Sequence, residues 1–170
     1  MAVSGYRDAI QDLYDGLILL QHRGQDAAGI MTYDNQFHLK KSNGMVRDVF
    51  HSKSFARLRG RMGVGHVRYP TAGCSSEFEA QPFFVNTPYG IALSHNGNLT
   101  NSKELSKELR EKEYRHLNTN SDSEVLLNEL SVAIKLQKPT KKLSADQVFG
   151  AVERVFSRCK GAYSAVALIG

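Results

Sequence analysis

The stretch Met62-Gly-Val-Gly-His-Val-Arg-Tyr-Pro-Thr-Ala-Gly73 is the part of the sequence around which the rest is organised. It opens as a short apolar run, typical of a buried β-strand, and Pro70 and Gly73 then break the strand into a loop. Arg68 ends the strand and Thr71 lies in the loop. Because a guanidinium can hold a carboxylate through two parallel hydrogen bonds, the stretch predicts carboxylate binding at Arg68 and Thr71. The alternative is structural: Arg68 paired with an acidic residue of the core.

The composition indicates one globular domain. Of the 170 residues, 41% are hydrophobic and 23% are charged, which is enough apolar material for a real core. No apolar run is long enough to span a bilayer, and the N-terminus lacks the apolar segment of a secretory signal. Cys74 and Cys159 are too few for a disulfide framework or a four-cysteine zinc site, so a cytoplasmic location is expected.

Charge favours neither a nucleic-acid nor a membrane partner. The net charge of +5 is modest, and it affects association rather than fold. The short basic loop with Lys138, Lys141 and Lys142 lacks the interleaved aromatic residues of a nucleic-acid-binding surface. A solvated loop is therefore expected.

Hydrophobic periodicity and turn residues predict the other elements. Helices are predicted at 8–22, 102–113, 121–136 and 144–160, with one or two short helices within 45–59, and strands at 30–33, 37–40, 62–68, 82–85, 90–95 and 162–169. Strands come in runs with helices between and after them. This order predicts an α+β domain with mostly antiparallel sheet.

Several segments carry stronger local signals. Capping boxes are predicted at Ser121 with Glu124 and at Ser144 with Gln147. The last strand is predicted to be buried, and the strand at 90–95 is predicted to run into a tight polar turn at 94–98. The last helix carries an apolar stripe at helical spacing, formed by Phe149, Val152, Phe156 and Cys159.

The pair Asn96-Gly97 is a second candidate site. A glycine lets the backbone approach a ligand closely, and the neighbouring asparagine supplies a side-chain amide. A backbone amide with an asparagine amide can form an oxyanion hole. The alternative is an ordinary Asn-Gly turn.

Asp122 is the third candidate, because it stands in the first turn of a predicted helix, where the helix dipole stabilises a carboxylate. Alone it indicates no more than helix capping. Together, the three sites fit an amino acid whose side-chain carbonyl is attacked: Arg68 for its carboxylate, Asp122 for its ammonium and Asn96-Gly97 for the oxyanion.

No nucleophile is evident for that attack. Cys159 lies on an apolar helical stripe and is interpreted as core. Cys74, in the loop just after the Arg68 strand, is the better candidate for a reactive thiol, but no base stands beside it in sequence. His66 and His95 stand in predicted strands and are interpreted as satisfied core histidines. The other histidines, His22, His38, His51 and His116, show no metal-ligand spacing.

Five blocks of the sequence resemble the glutaminase domain of the amidophosphoribosyltransferase family, a branch of the class II glutamine amidotransferases. They occur in the same order as in that family, and the resemblance runs from about Tyr14 to Gly170. The Tyr-Pro-Thr-Ala after Arg68 distinguishes the purine-pathway enzymes from relatives with Trp-Ala-Thr-His. The blocks are Gln21–Gly29, Gly65–Gly73, Glu79–Phe83, His95–Leu99 and Asn118–Glu124.

The resemblance implies a fold, a reaction and roles for residues. The fold would be the αββα sandwich of N-terminal-nucleophile hydrolases, truncated at both ends. The reaction would be hydrolysis of the glutamine side-chain amide, with the ammonia passed on to make phosphoribosylamine in the first step of purine synthesis. Roles carried over are glutamine binding by Arg68, Thr71, Gly97 and Asp122, an oxyanion hole at Asn96 and Gly97, and support of the nucleophile by Arg23.

The sequence departs from the family at both ends. The family's first residue after Met removal is a cysteine whose thiol attacks while its own α-amine serves as base. Here the chain starts Met1-Ala-Val-Ser4, so these 170 residues are expected to be inactive as they stand. The phosphoribosyltransferase domain is expected to be absent, and with it a Mg²⁺ site. No cofactor is expected in this chain, and the full-length enzyme is expected to be a homo-oligomer.

A non-catalytic amino-acid-binding or regulatory module on the same fold stays open as an alternative. Such a module would keep the binding residues and lack the thiol.

Overall fold

The computed structural model describes residues 1–69, 77–140 and 142–170. The predictions for Thr71, Cys74 and Lys141 therefore lie outside the described residues.

From Ile10 onward the elements follow the predicted order, and the short strand Ala2–Ser4 before them was not predicted. The strands are β1 Ala2–Ser4, β2 Ala27–Tyr33, β3 Phe37–Asn43, β4 Met62–Arg68, β5 Phe83–Val85, β6 Ile91–Leu99 and β7 Gly161–Ile169. The helices are α1 Ile10–Leu20, α2 Val46–Val49, α3 Ser52–Arg57, α4 Ser102–Glu111, α5 Asp122–Leu136 and α6 Ala145–Arg158, with 3₁₀ turns at Gln21–Arg23 and Glu77–Glu79. Among the helices of the described ranges, none is both long and apolar enough to cross a bilayer.

In the described ranges the strands form two antiparallel sheets. One has the order β1-β4-β2-β3 and the other β5-β6-β7. The organising strand β4 lies inside the first sheet, between β1 and β2, as its apolar sequence predicts.

Three apolar clusters define four layers. One cluster packs α1 and α2 on the first sheet, and another packs α4, α5 and α6 on the second. The third joins the two sheets through residues such as Met31, Val64, Ala92 and Leu168. The fold is thus a helix–sheet–sheet–helix sandwich, which confirms the predicted α+β class.

Alternation along β4 separates its packing face from its functional face. Gly63 and Gly65 face α1, where an added Cβ would lie 2.7 Å from Leu13 and 3.1 Å from Leu17. These glycines let the helix pack closely. The residues between them and beyond, Val64, His66 and Arg68, face the opposite side, which leads into the space between the sheets.

Four local predictions were wrong in detail. The segment 96–98 is not a turn but part of β6, because β7 pairs with it along its whole length. Ser121 caps the amide of Ser123, while the Glu124 carboxylate accepts hydrogen bonds from the backbone of the 118–119 segment. The capping box at Ser144 and Gln147 is confirmed.

The other two concern burial near the C-terminus. Phe149 and Phe156 are 69% and 67% exposed, because Ala151 and Val155 form the buried face of α6 instead. Most of β7 is also exposed, since it pairs only with β6 and lies at the edge of its sheet in the described residues.

Candidate active site

A cavity of about 430 Å³ lies where the end of β4, the middle of β6 and the start of α5 meet. It brings together four residues that the sequence predicted as a site, Arg68, Asn96, Gly97 and Asp122. Other residues of its wall are His66, Tyr69, Glu79, Gln81, His95, Asn98, Ser102, Asn120, Ser121 and Ser123.

Arg68 is held by two carboxylates. It is 8% exposed, donates to Asp26 at 2.7 Å, and also forms an ion pair with Glu79. The structural alternative for this residue, pairing with a core acid, is therefore present in the fold. The role of Arg68 toward a substrate carboxylate stays a prediction.

Asp122 is fixed at the first position of α5. Its Oδ2 accepts a hydrogen bond from the Leu99 amide at 2.9 Å, and its Oδ1 lies 3.8 Å from His95 Nδ1. Ser121, not Asp122, caps the helix. The carboxylate is thus anchored to β6 at the wall of the cavity, where it can pair with a cation.

The Asn96 carboxamide is bonded to a buried imidazole. His66 Nε2 lies 3.0 Å from Asn96 Oδ1. The amide oxygen accepts this bond, so the Nδ2 hydrogens are left for the cavity. Gly97, the next residue, has φ +135°, and an added Cβ would lie 2.3 Å from the Ala162 carbonyl oxygen. Only glycine fits there without strain.

Gln81 joins β6 to α5 behind the site. Its Oε1 accepts from the His95 amide at 2.7 Å, and its Nε2 donates to the His95 carbonyl at 3.0 Å and to Ser123 Oγ at 3.2 Å. Ser123 Oγ in turn lies 2.8 Å from His95 Nδ1. This buried network fixes the strand segment that carries Asn96 and Gly97.

His66 and His95 are buried, as predicted, but each is only partly satisfied. His66 Nδ1 and His95 Nε2 find no hydrogen-bond partner among the described residues. Burial lowers the pKa of His95, an effect that Asp122 opposes, and burial lowers the pKa of His66 to about 4. Both rings line the cavity, so the interpretation as ordinary core histidines was incomplete.

A second cavity of about 240 Å³ adjoins the first, with His66 and Asn96 lining both. It is also lined by Met1 and by Arg23, for which the resemblance implies a supporting role. The Met1 amine donates to the Gly65 carbonyl at 2.7 Å, and burial lowers its pKa. The chain start thus lies beside the site.

The register of β1 on β4 predicts where residues added before Met1 would lie. Ala2 lies opposite Val64, and Met1 and Gly65 exchange backbone hydrogen bonds. If the antiparallel ladder continues, the third residue before Met1 lies opposite Arg68.

Cys159 is confirmed as a core residue. It is 4% exposed, and burial raises its pKa to about 12. A thiol that stays protonated at neutral pH is a poor nucleophile.

Sequence reasoning missed Gln81, Ser123, Asp26 and Glu79 as parts of the site. Glu79 and Gln81 follow the 62–73 stretch in the sequence, but nothing in their spacing predicts the bonds that they form with Arg68 and His95. No cluster of metal-ligating side chains is found in the described part of the chain. A larger cavity of about 720 Å³, between β3 and α3, contains none of the predicted site residues.

The buried His66 predicts a loss of stability in acid. Its pKa falls from the usual 6.5 to about 4 in the fold, so the unfolded chain takes up the proton first. The contribution of the neutral His66 ring to the free energy of unfolding is therefore complete above pH 6.5 and is lost as the pH falls toward 4. Between pH 7 and 4 this group alone should remove about 3 kcal/mol from the free energy of unfolding. Urea titrations of the parent and His66→Gln measure the difference.

The exposed His116 provides the control. His116→Gln should keep the pH dependence of the parent, because its side chain is in solvent in both states. Equal acid sensitivity of parent and His66→Gln would contradict the prediction.

Comparison with known proteins gives one family and a consistent set of relatives. A family model described as a glutamine amidotransferase domain matches residues 66–168. The amidophosphoribosyltransferase of Pseudomonas aeruginosa is 56% identical over 174 residues, covering 99% of this chain and 34% of the relative. That of Escherichia coli is 53% identical over 171 residues, again covering 99% and 34%. The chain thus spans about a third of the length of these relatives.

A solved structure gives the same fold. The glutamine phosphoribosylpyrophosphate amidotransferase from B. subtilis, complexed with ADP and GMP, superimposes with a TM-score of 0.80 at 30% identity. The match covers 99% of this chain and 34% of the solved one. The fold implied by the sequence resemblance is therefore confirmed.

Proposed function

Because this chain belongs to the glutamine amidotransferase domain family, we propose that the 430 Å³ cavity binds L-glutamine for hydrolysis of its side-chain amide. The observation that carries the proposal is the convergence of Arg68, Asn96, Gly97 and Asp122 on one cavity from three separate elements.

Each polar group of glutamine has a complementary partner there. Asp122 accepts from the α-ammonium, and Arg68 binds the α-carboxylate. The sequence resemblance implies Thr71 as a second carboxylate ligand, and this residue lies outside the described ranges. The side-chain carbonyl then lies toward Asn96 and Gly97, whose amides stabilise the negative charge that develops on its oxygen. The Asp122 carboxylate is already oriented by the hydrogen bond from the Leu99 amide, so it can accept from the α-ammonium without rearrangement.

The covalent step needs a thiol. Among the described residues, no cysteine lines the cavity. Cysteine attack on the side-chain carbonyl carbon gives a tetrahedral oxyanion. The α-amine of the cysteine takes the proton of the thiol and passes it to the leaving nitrogen, so collapse of the oxyanion expels ammonia and leaves a thioester. Water then hydrolyses the thioester, which releases glutamate and restores the thiol. We infer that the chain as printed binds glutamine with little or no turnover.

The larger setting is also a proposal. Since the relatives are amidophosphoribosyltransferases, the ammonia would serve phosphoribosylamine formation in purine synthesis. A phosphoribosyltransferase domain with its Mg²⁺, a homo-oligomeric full-length enzyme and a cytoplasmic location belong to the same proposal. Arg23, beside Met1, would support the nucleophile.

Asp122→Asn tests the binding step. The variant keeps an oxygen for the Leu99 amide but loses the charge that pairs with the α-ammonium. Loss of one charge-assisted bond, about 1.5–3 kcal/mol, should weaken the Kd for L-glutamine by about 10- to 100-fold. Isothermal titration calorimetry measures this directly.

Asp146→Asn is the matched control, because Asp146 is an exposed aspartate in the first turn of α6. It should bind glutamine like the parent. Equal affinity of the parent and Asp122→Asn would contradict the assignment of Asp122.

A non-catalytic amino-acid-binding or regulatory module is the second candidate. It would need only the residues that bind an amino acid, and Arg68, Gly97 and Asp122 line the cavity. The genomic DNA just before the Met1 codon separates the two. An in-frame Cys-Gly pair followed by apolar codons supports the hydrolase, and an in-frame stop supports the module.

A further inference from the structure

We propose that His66 is a positioning residue: it holds the oxygen of the Asn96 carboxamide so that the amide N–H₂ is directed into the cavity. This inference rests on the proposed function, since it concerns the oxyanion hole for the glutamine side chain.

The Asn96 carboxamide needs a hydrogen bond to fix its orientation. Asn96 is exposed, so packing restrains its side chain little. The bond from His66, at 3.0 Å, is the hydrogen bond its side chain makes within the described residues. His66, by contrast, is 6% exposed and lies in β4, where it pairs with Gly29 of β2. A buried side chain therefore sets the orientation of an exposed one.

The polarity of the bond decides which end of the amide enters the cavity. With the proton of His66 on Nε2, the imidazole donates and Asn96 Oδ1 accepts, so Nδ2 is left free to donate. The opposite tautomer would make Nε2 an acceptor and turn the carboxamide round. An oxygen would then face the site, where it would repel the developing oxyanion.

The Nδ1 of His66, which has no hydrogen-bond partner among the described residues, favours the Nε2–H tautomer of a neutral ring. Burial lowers the pKa of His66 to about 4, so the ring is neutral and carries one proton near neutral pH. A buried acceptor without a partner is more common in proteins than a buried N–H without one, so the proton belongs on Nε2.

In the part of the chain that the structure describes, His95 does not form a hydrogen bond to the Asn96 side chain. Its ring contacts Ser123 on the helix-facing side of β6, whereas Asn96 faces β4. Alternation along the strand separates the two side chains.

The resting protein provides the first test. Long-range ¹H–¹⁵N NMR of imidazole-labelled chain at pH 7 should show His66 as the Nε2–H tautomer. Asn96→Ala should change the His66 ring signals while those of the exposed His51 stay unchanged. A predominant Nδ1–H tautomer would overturn the inference, and this result needs neither turnover nor a variant of His66.

The second test is kinetic and uses the chain extended by the cysteine-bearing strand described in the Discussion. His66→Leu should lower kcat for glutamine hydrolysis by about 10²-fold with KM little changed, as for loss of one oxyanion donor. His66→Gln, whose amide can donate from a similar position, should recover most of kcat. His51→Leu, an exposed histidine away from the site, should match the parent.

The outcomes separate this inference from the proposed function. If the extended parent hydrolyses glutamine and a folded His66→Leu keeps full kcat, the positioning role is overturned while the function stands. If His66→Leu lowers kcat and His66→Gln does not recover it, the role as a donor is likewise overturned. If the extended parent does not hydrolyse glutamine, the proposed function fails, and the NMR tautomer alone decides whether His66 orients Asn96.

Discussion

A chain that carries Cys-Gly-Val ahead of Met1 is expected to release glutamate from glutamine at least about 10³-fold faster than the same chain with Ser-Gly-Val. An initiator methionine before either prefix would be removed, leaving Cys or Ser as the first residue. Coupled glutamate detection measures the rates.

The length of the prefix follows from the register of β1 on β4. Ala2 pairs with Val64 and Met1 with Gly65, so the added cysteine, the third residue before Met1, lies opposite Arg68, at the end of β4 that lines the cavity. The prefix continues an existing ladder rather than forming a new element. The 240 Å³ cavity beside Met1, Arg23 and His66 leaves room for its side chains.

Two results would count against this account. Equal rates for the Cys and Ser prefixes would exclude the added thiol as the nucleophile. Turnover by the chain as printed, without any prefix, would show that another nucleophile is present, and Cys74→Ser would then test the other candidate in the sequence.

Arg68→Met is expected to lower the free energy of unfolding by about 3–5 kcal/mol, the usual cost of breaking a buried ion pair from one side. Arg68, Asp26 and Glu79 have side chains that are 10%, 11% and 21% exposed. Removal of the guanidinium leaves two poorly hydrated carboxylates without this cation. Urea unfolding monitored by circular dichroism gives the change.

Arg7→Met is the matched control. Arg7 also pairs with an aspartate, Asp12, but the two side chains are 76% and 39% exposed. Such a surface pair contributes about 0–1 kcal/mol. If Arg68→Met lowers the free energy of unfolding no more than Arg7→Met does, the ion pairs of Arg68 do not stabilise the fold. Substrate binding would then be the remaining role for the guanidinium.

Much of the fold could be predicted because it depends on local patterns. The apolar run at 62–68, with Arg68 at its end, gave β4 with its observed bounds. The helical spacing of Leu126, Leu130 and Ile134 likewise gave α5. In these segments periodicity and burial agree.

The misassigned segments are those where a partner overrides the local signal. Asn96-Gly97-Asn98 has the composition of a turn, but pairing with 162–164 extends β6 through it. Phe149 and Phe156 have core composition but lie outside the buried face of α6. Neither effect is visible without the position of the neighbouring element.

The candidate site was predicted in part for the same reason. Arg68, Asn96 and Asp122 could be found because each residue type suits one group of an amino acid. Gln81 and His66 could not, because their roles depend on bonds to His95 and Asn96 that join distant parts of the chain.

An amide ¹H–¹⁵N NMR titration of the chain with L-glutamine shows whether the 430 Å³ cavity binds this amino acid. Saturable shifts are predicted at Gly97, Leu99 and Ser123, whose backbone lies at the wall of the 430 Å³ cavity or on the Asp122 carboxylate. Shifts confined to the larger cavity around Lys40, Lys53 and Arg57, or no shifts at all in the folded chain, would contradict the account.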